Sequence, residues 1–184
     1  HNDTLTGDDN DNVIEGGAGA DALDGGGGSD TASYAHAATG IVANLAAPGL
    51  NSGDAAGDTY ASIENLTGSQ FNDVLTGDGG NNILFGDSGN DTFVFNQDLG
   101  IGHDTIGDFM SGQDHIQLDY AAFNPNDATS FAAWLLSHVT TDNNGNDLII
   151  DLNRDGAHPG QDTIRLQNAS FGGLHANDFI LHGN

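Results

Sequence analysis

Asp3, Asn12, Asp21 and Asp30 stand nine positions apart, and Glu64, Asp73, Asn82 and Asp91 repeat that spacing further along the chain. Each offers a side-chain oxygen. Two positions after each comes an apolar residue: Leu5, Ile14, Leu23 and Ala32, then Leu66, Leu75, Leu84 and Phe93. Glycines crowd the positions between, as in "GGAGADALDGGGGSDTAS" (16–33). Short hard-oxygen ligands placed one per tight turn suit a divalent cation of calcium's kind, which takes six to eight oxygens and accepts backbone carbonyls among them. Acid–base catalysis by paired carboxylates is a weaker reading, since with 25 Asp in the chain any chosen pair is uninformative.

The composition agrees with a cation partner. Acidic residues number 27 against two arginines, Arg154 and Arg165, with no lysine, for a formal net charge of −25. Such a chain repels itself when compact, and it repels phosphate backbones and anionic membrane surfaces, which excludes nucleic acid as a partner. About six divalent ions would neutralise roughly half the charge. There is no cysteine, so neither disulfides nor thiolate metal sites can hold the fold. No apolar run approaches a membrane span. The eight histidines are scattered, and no HExxH or GxSxG motif occurs, so no catalytic residues are assigned.

The elements that must position the oxygens follow from the period. "GDDNDNVIE" (7–15), "GGAGADALD" (16–24) and "GGGGSDTAS" (25–33) abut without a gap; "TYASIENLT" (59–67), "GSQFNDVLT" (68–76), "GDGGNNILF" (77–85) and "GDSGNDTFV" (86–94) resume the pattern. Within each unit the glycine slots permit a tight loop, and the last three residues make a short strand with its central side chain in a core. One such strand buries too little to stand alone, so the units must stack.

This GGxGxDxUx pattern resembles the RTX (repeats-in-toxin) nonapeptide, a calcium-binding repeat of secreted bacterial proteins such as serralysin-type proteases and the R-modules of mannuronan epimerases. The resemblance implies an all-β fold, a right-handed parallel β-roll (β-solenoid) with two units per coil and Ca2+ between successive loops. It pairs Asp3 with Asp21, Asn12 with Asp30, Glu64 with Asn82, and Asp73 with Asp91. Carbonyls of Gly16 and Ala18 would complete the first site, those of Asp8, Asn10, Gly25 and Gly27 the second, and those of Ser69, Phe71, Gly86 and Ser88 the fourth. The pair formed by Glu64 and Asn82 is the weakest, because glycines are missing around Glu64 and Asn82 is neutral.

Four stretches are expected: a first repeat block (1–33), an enlarged coil (34–58), a second block (59–95) and a β-rich cap (96–184). In the enlarged coil Ile41 to Leu45 reads as a strand, while Asp54 and Asp58 fit either a further ion or a solvated loop, the loop being favoured. "HDTIGDFMSGQDHIQLD" (103–119) resembles the segment that follows the repeats in the same proteins, which would set Asp104 and Asp108 against Asp87, Gly89 and Asp91 to close the last column. One short helix, capped by Asn126 or Asp127 with Phe131, Trp134, Leu135 and Val139 on its buried face, would cover the open end of the roll. A hairpin turning at Asn144–Gly145 follows. Asp151, Asn153, Asp155 and Asp162 fit both an EF-hand-like ligand set and a plain hairpin loop. Asp178 before Phe179, Ile180 and Leu181 resembles an export signal of type I secretion, or makes an edge strand.

The expected function is a calcium-binding module that folds after secretion, outside the cell, and stabilises or exports a larger protein. Its partners would be calcium, an upstream domain of the same polypeptide and the type I secretion machinery. The alternatives are an anionic polysaccharide-binding (alginate-like) module of a secreted carbohydrate-active enzyme, and an adhesin terminus.

Overall fold

The computed structural model describes residues 1–96, 101–119, 128–142, 144–152, 162–169 and 173–182. Each nonapeptide spends most of its length turning, so its strand is only two or three residues long, except the last, which runs to five. The first block yields β1 (Thr4–Thr6), β2 (Val13–Ile14), β3 (Ala22–Asp24) and β4 (Thr31–Ser33). β5 (Val42–Asn44) and β6 (Thr59–Ala61) lie in and at the end of the interruption, and β7 (Asn65–Thr67), β8 (Val74–Thr76), β9 (Ile83–Phe85) and β10 (Thr92–Asn96) follow. Beyond the repeats come β11 (His103–Ile106), β12 (His115–Asp119), α1 (Ala128–His138), β13 (Val139–Thr141), β14 (Leu148–Asp151), β15 (Thr163–Leu166) and β16 (Phe179–His182).

Strands pair in parallel with the unit two places on, Leu5 with Leu23, Ile14 with Ala32, Leu66 with Leu84 and Leu75 with Phe93. Consecutive units therefore go to different sheets. One sheet runs β13-β14-β15-β11-β9-β7-β4-β2; the other face is divided into β1-β3-β6 and β16-β12-β10-β8-β5. The division falls at the enlarged coil, where β6 extends the sheet of the first block and β5 begins that of the second. Antiparallel pairing occurs only where β14 meets β13 and β15, among the described strands. The eighth-slot side chains Leu23, Ala32, Leu66, Leu75, Leu84 and Phe93 are fully or almost fully buried and line the core, which Ile106, Ile116, Leu148 and Ile164 continue into the cap.

The enlarged coil corrects one expectation. Asp58 does not lie on a solvated loop; it is buried, and its carboxylate accepts the Asp21 N–H at 2.8 Å and the Tyr34 hydroxyl at 2.8 Å. The Tyr34 and Tyr60 hydroxyls are 2.6 Å apart, and the Asn51 amide donates to Tyr60 at 2.8 Å. Here Asp58 is satisfied by protein donors alone. Tyr34→Phe removes the donor and leaves a buried carboxylate oxygen bare, a cost of about 1–3 kcal/mol. Urea unfolding in saturating calcium is expected to show that loss, while an unchanged midpoint would show that the hydroxyl contributes nothing.

In the cap, α1 is the single α-helix among the described residues. Phe131 is buried against Phe179 of β16, ring centroids 5.2 Å apart, and Trp134 stacks on His138 at 4.3 Å. Val139 belongs to β13 rather than to the helix, and its hairpin with β14 turns through Gly145 at φ +72. The proposed caps Asn126 and Asp127 fall outside the described residues. β16 lies at the end of its sheet, parallel to β12.

Candidate metal centre

Each sixth-slot residue sits just before a strand, and its own N–H has no ladder partner except at Glu64, where it donates to the Asp30 carbonyl at 3.1 Å. The structure satisfies that donor in one recurring way. The Asp3 N–H donates to Asp21 Oδ1 (2.7 Å), Asn12 to Asp30 Oδ1 (2.7 Å), and Asp73 to Asp91 Oδ1 (2.9 Å), each across 18 residues. The same bond continues across the interruption, from Asp21 to Asp58 and from Asp30 to Glu64 Oε2 (2.9 Å). It runs on into the cap, from Asn82 to Asp104 (2.8 Å) and from Asp91 to Asp114 (3.0 Å). The acids are thereby stacked in two columns, one along the eight-stranded sheet and the other divided between the two smaller sheets.

One carboxylate oxygen is used by this ladder. The other decides what the column can hold. Oδ2 of Asp21 and Oδ2 of Asp30 are buried and have no hydrogen-bond partner. A buried anionic oxygen without a donor costs several kcal/mol unless a cation compensates it. The surroundings supply oxygens rather than donors. A Cβ on Gly16, Gly25 or Gly86 would collide with the carboxylate of Asp21, Asp30 or Asp91, so glycine in the first slot is what lets the acid fold back over its own loop. Gly28 (φ +122) lies against the Asn10 carbonyl and Gly89 (φ +151) against that of Phe71, so these carbonyls face the next coil. The Asp8 carbonyl sits against Gly26, that of Gly25 against Gly7, and that of Gly86 against Gly68. Among the described residues no three Asp, Glu or His side chains converge, so a cation here must draw on these carbonyls. Calcium accepts such a mixture.

The candidate residues do not all share this state. Asp73 meets Asp91 as expected, but its oxygens already accept the Ser69 N–H and hydroxyl and the Ile41 N–H. Asn82 is satisfied without metal: Oδ1 accepts the Asp78 N–H, and Nδ2 donates to the Glu64 carbonyl at 2.7 Å. Asn12 Oδ1 likewise accepts the Asp8 N–H. Asp108 binds the N–H groups of Gly86 (3.0 Å) and Asp87 (2.8 Å), close to its expected partners. Asp104 stands on the opposite column, under Asn82, and Asp114 takes the place against Asp91. Asp151 ends β14 and Asp162 precedes β15, flanking a hairpin connection whose Asn153 and Asp155 lie outside the described residues. Asp162 accepts the Gly102 N–H at 3.1 Å.

Sequence reasoning missed Asp58 and Asp114 as column members. The signal was present: both directly precede a strand, as every sixth-slot residue does. Irregular coil lengths of 37 and 23 residues hide them from a search for multiples of nine.

Burial of the acids, with crowding by their neighbours second, shows in their protonation. Burial, opposed by the Asp73 N–H and reinforced by the charges of Asp114 and Asp73, pushes the Asp91 carboxyl up to about 7. Burial likewise pushes Asp104 up to about 8, and raises Asp58, Asp73, Asp108 and Asp114.

Residues 1–32 and 58–93 match the sequence family described as RTX calcium-binding nonapeptide repeat (4 copies). No curated protein matches the chain. Among solved structures, the AlgE6R3 subunit of the Azotobacter vinelandii mannuronan C5-epimerase is 21% identical with a TM-score of 0.47, over 96% of this chain and 81% of that one. The AlgE6R2 subunit of the same epimerase is 18% identical with a TM-score of 0.46, over 97% and 92%. The extracellular lipase LipA from Serratia marcescens is 15% identical with a TM-score of 0.41; the match takes in 98% of this chain but 38% of the lipase.

Proposed function

Taking residues 1–32 and 58–93 as RTX calcium-binding nonapeptide repeats, we propose that this chain is a calcium-dependent folding module of a protein secreted by the type I route, wound as a right-handed parallel roll. The carrying observation is the pair of buried carboxylate oxygens on Asp21 and Asp30 that have no hydrogen-bond partner, one in each column. Calcium, when bound, supplies the positive charge that offsets these anions. The residues of this chain do the rest: Asp21 and Asp30 orient one oxygen by accepting a backbone N–H from the preceding coil, which aims the other into the loop.

A net charge of −25 and the glycine loops favour an unfolded chain where calcium is scarce, a state suited to passage through a secretion channel. Extracellular modules bind calcium at about 0.1–1 mM, a concentration met outside the cell. No described helix is long and apolar enough to cross a membrane. The polysaccharide reading has less support here, since Arg165 is committed to Asp147 (Nε to Oδ2, 2.6 Å) and lies 3.9 Å from Asp142, and Arg154 lies outside the described residues.

Isothermal titration with calcium tests the proposal. Several ions are expected to bind, and Asp21→Asn and Asp30→Asn are each expected to weaken binding at least tenfold at one site. A wild-type chain that takes up no calcium at several millimolar would end the proposal.

A further inference from the structure

The fifth slot, directly before each column residue, carries a second ladder to which the GGxGxDxUx pattern gives no role. Asn2 Oδ1 accepts the Ala20 N–H at 3.0 Å and Asp11 Oδ1 the Ser29 N–H at 2.8 Å. In the second block Asn72 Oδ1 accepts the Asn90 N–H at 2.9 Å, and Asn81 Oδ1 the His103 N–H at 2.9 Å. These bonds run opposite to those of the sixth slot. There the backbone of the earlier coil donates to a side chain of the later one; here a side chain of the earlier coil accepts from the later backbone. At these four levels both bonds are present, so adjacent loops are stitched in both directions.

The four bonded N–H groups belong to Ala20, Ser29, Asn90 and His103, the residues directly before Asp21, Asp30, Asp91 and Asp104, and all four of these acids are buried. We infer that the fifth-slot Asn2, Asp11, Asn72 and Asn81 are positioning residues for the calcium loops: each holds the backbone just ahead of the next coil's acid and so sets where that acid stands. The inference rests on the calcium reading above but assigns residues that the nine-residue pattern leaves open. The bonds are made by protein groups alone. A loop ordered before the ion arrives loses less freedom on binding it, which raises affinity without adding a ligand.

Levels without the bond show what it requires. Ala20 has no side-chain oxygen, and of the two bonds only the sixth-slot one, from the Asp21 N–H to Asp58, joins its loop to the next. Ile63 has none either. Between Glu64 and Asn82 neither bond forms although the spacing is again 18 residues: the Glu64 N–H donates to the Asp30 carbonyl, and Asn82 Oδ1 accepts from Asp78 in its own loop. Equal spacing therefore does not stitch two loops by itself. Asn90 supplies an internal control, being exposed, with a side chain that makes no hydrogen bond among the described residues.

Calcium titration of the isotope-labelled full chain, read at the loop amides by NMR, tests this with Asn72→Ala. The amides of 68–73 and 86–91 are expected to half-saturate at a calcium concentration higher by about two- to tenfold, the worth of one hydrogen bond. Those of 7–12 and 25–30 should keep their wild-type value. Asn72→Asp retains the accepting oxygen, as Asp11 does naturally, and should bind at least as tightly as wild type, while Asn90→Ala has no bond to lose and should change nothing. Equal weakening in both blocks would make the fifth slot a matter of general stability, and no weakening would make it idle; either result overturns the inference and leaves the calcium module intact. A wild-type chain whose loop amides do not respond to millimolar calcium would overturn the calcium reading itself. Should Asn72→Ala not fold in saturating calcium, Asp11→Ala puts the same question to the first block, with the two sets of loops exchanged.

Discussion

Chelating calcium at pH 7.5 is expected to abolish the cooperative thermal transition and most of the β signal in circular dichroism, and restoring millimolar calcium should return both. The magnitude follows from linkage. An ion that binds only the folded chain stabilises it by about 2.7 kcal/mol when present at 100 times its dissociation constant. A domain of this size is stable by about 5–15 kcal/mol in all, so two or three such sites decide whether it folds. This chain starts from a poor position without them. All but the last of its strands are two or three residues long through the repeats, its loops carry glycines that lose much chain entropy, and its acids are stacked in columns with buried oxygens left bare at Asp21 and Asp30. A β-rich spectrum and an unchanged melting curve in excess chelator would refute the dependence.

The distribution of that dependence is uneven along the chain. The Asp58 carboxylate is satisfied by the Tyr34 hydroxyl and the Asp21 N–H, with Tyr60 and Asn51 bonded behind that hydroxyl, and the cap is built on an ordinary apolar core of Ile106, Ile116, Leu148, Ile164 and Phe131. Residual structure after chelation should therefore concentrate at the cap. Hydrogen exchange is the direct readout of such local differences.

What the period made legible was local. Spacing of nine identified the sixth-slot acids and the eighth-slot core, because a repeat imposes the same packing at every level, while the 18-residue partnership was implied by the RTX resemblance with its two units per coil. Where coils lengthen, spacing ceases to report neighbours. Asp58, Asp114 and the contact of Asp30 with Glu64 depend on how residues 34–58 and 95–114 are routed, and that is settled by tertiary contacts such as the Tyr34 hydroxyl on Asp58, not by period. Asp104 shows the same limit: a likeness to a downstream segment placed it against Asp91, whereas the strand it lies in, β11, follows β9 and carries it to the Asn82 column. The chemistry of individual slots was legible in part. Asparagine at position 82 is neutral and can donate, and the structure uses the donation to close its own level.

Acid is expected to stabilise the calcium-free fold and to weaken calcium binding, two effects of opposite consequence from one cause. Burial and neighbouring acids push Asp91 up to about 7 and Asp104 up to about 8 from an ordinary value of 3.8. Between about 4 and 8 the folded chain without metal therefore holds protons that the unfolded chain has released. Stability then falls as pH rises, since the unfolded state binds fewer protons than the folded one. The contribution of these two groups is fully present below 3.8 and is lost as pH passes through about 7 for Asp91 and about 8 for Asp104. Asp147 has the opposite sign, being held low by the Asn168 N–H and by Arg165, but its effect lies below the ordinary carboxylate range and outside this window. Calcium must displace the same protons, so its half-saturating concentration should rise as pH is lowered through 7, by up to about tenfold per pH unit for each proton released. Urea unfolding in chelator at pH 4.5, 5.5 and 6.5 should give midpoints that fall steadily, with no cooperative transition left at pH 7.5, while the same series in millimolar calcium should give a smaller fall or a rise. Asp91→Asn removes one titrating group and should flatten the chelator series near pH 7. A calcium-free midpoint that climbs with pH would contradict the burial of these carboxylates in the metal-free fold.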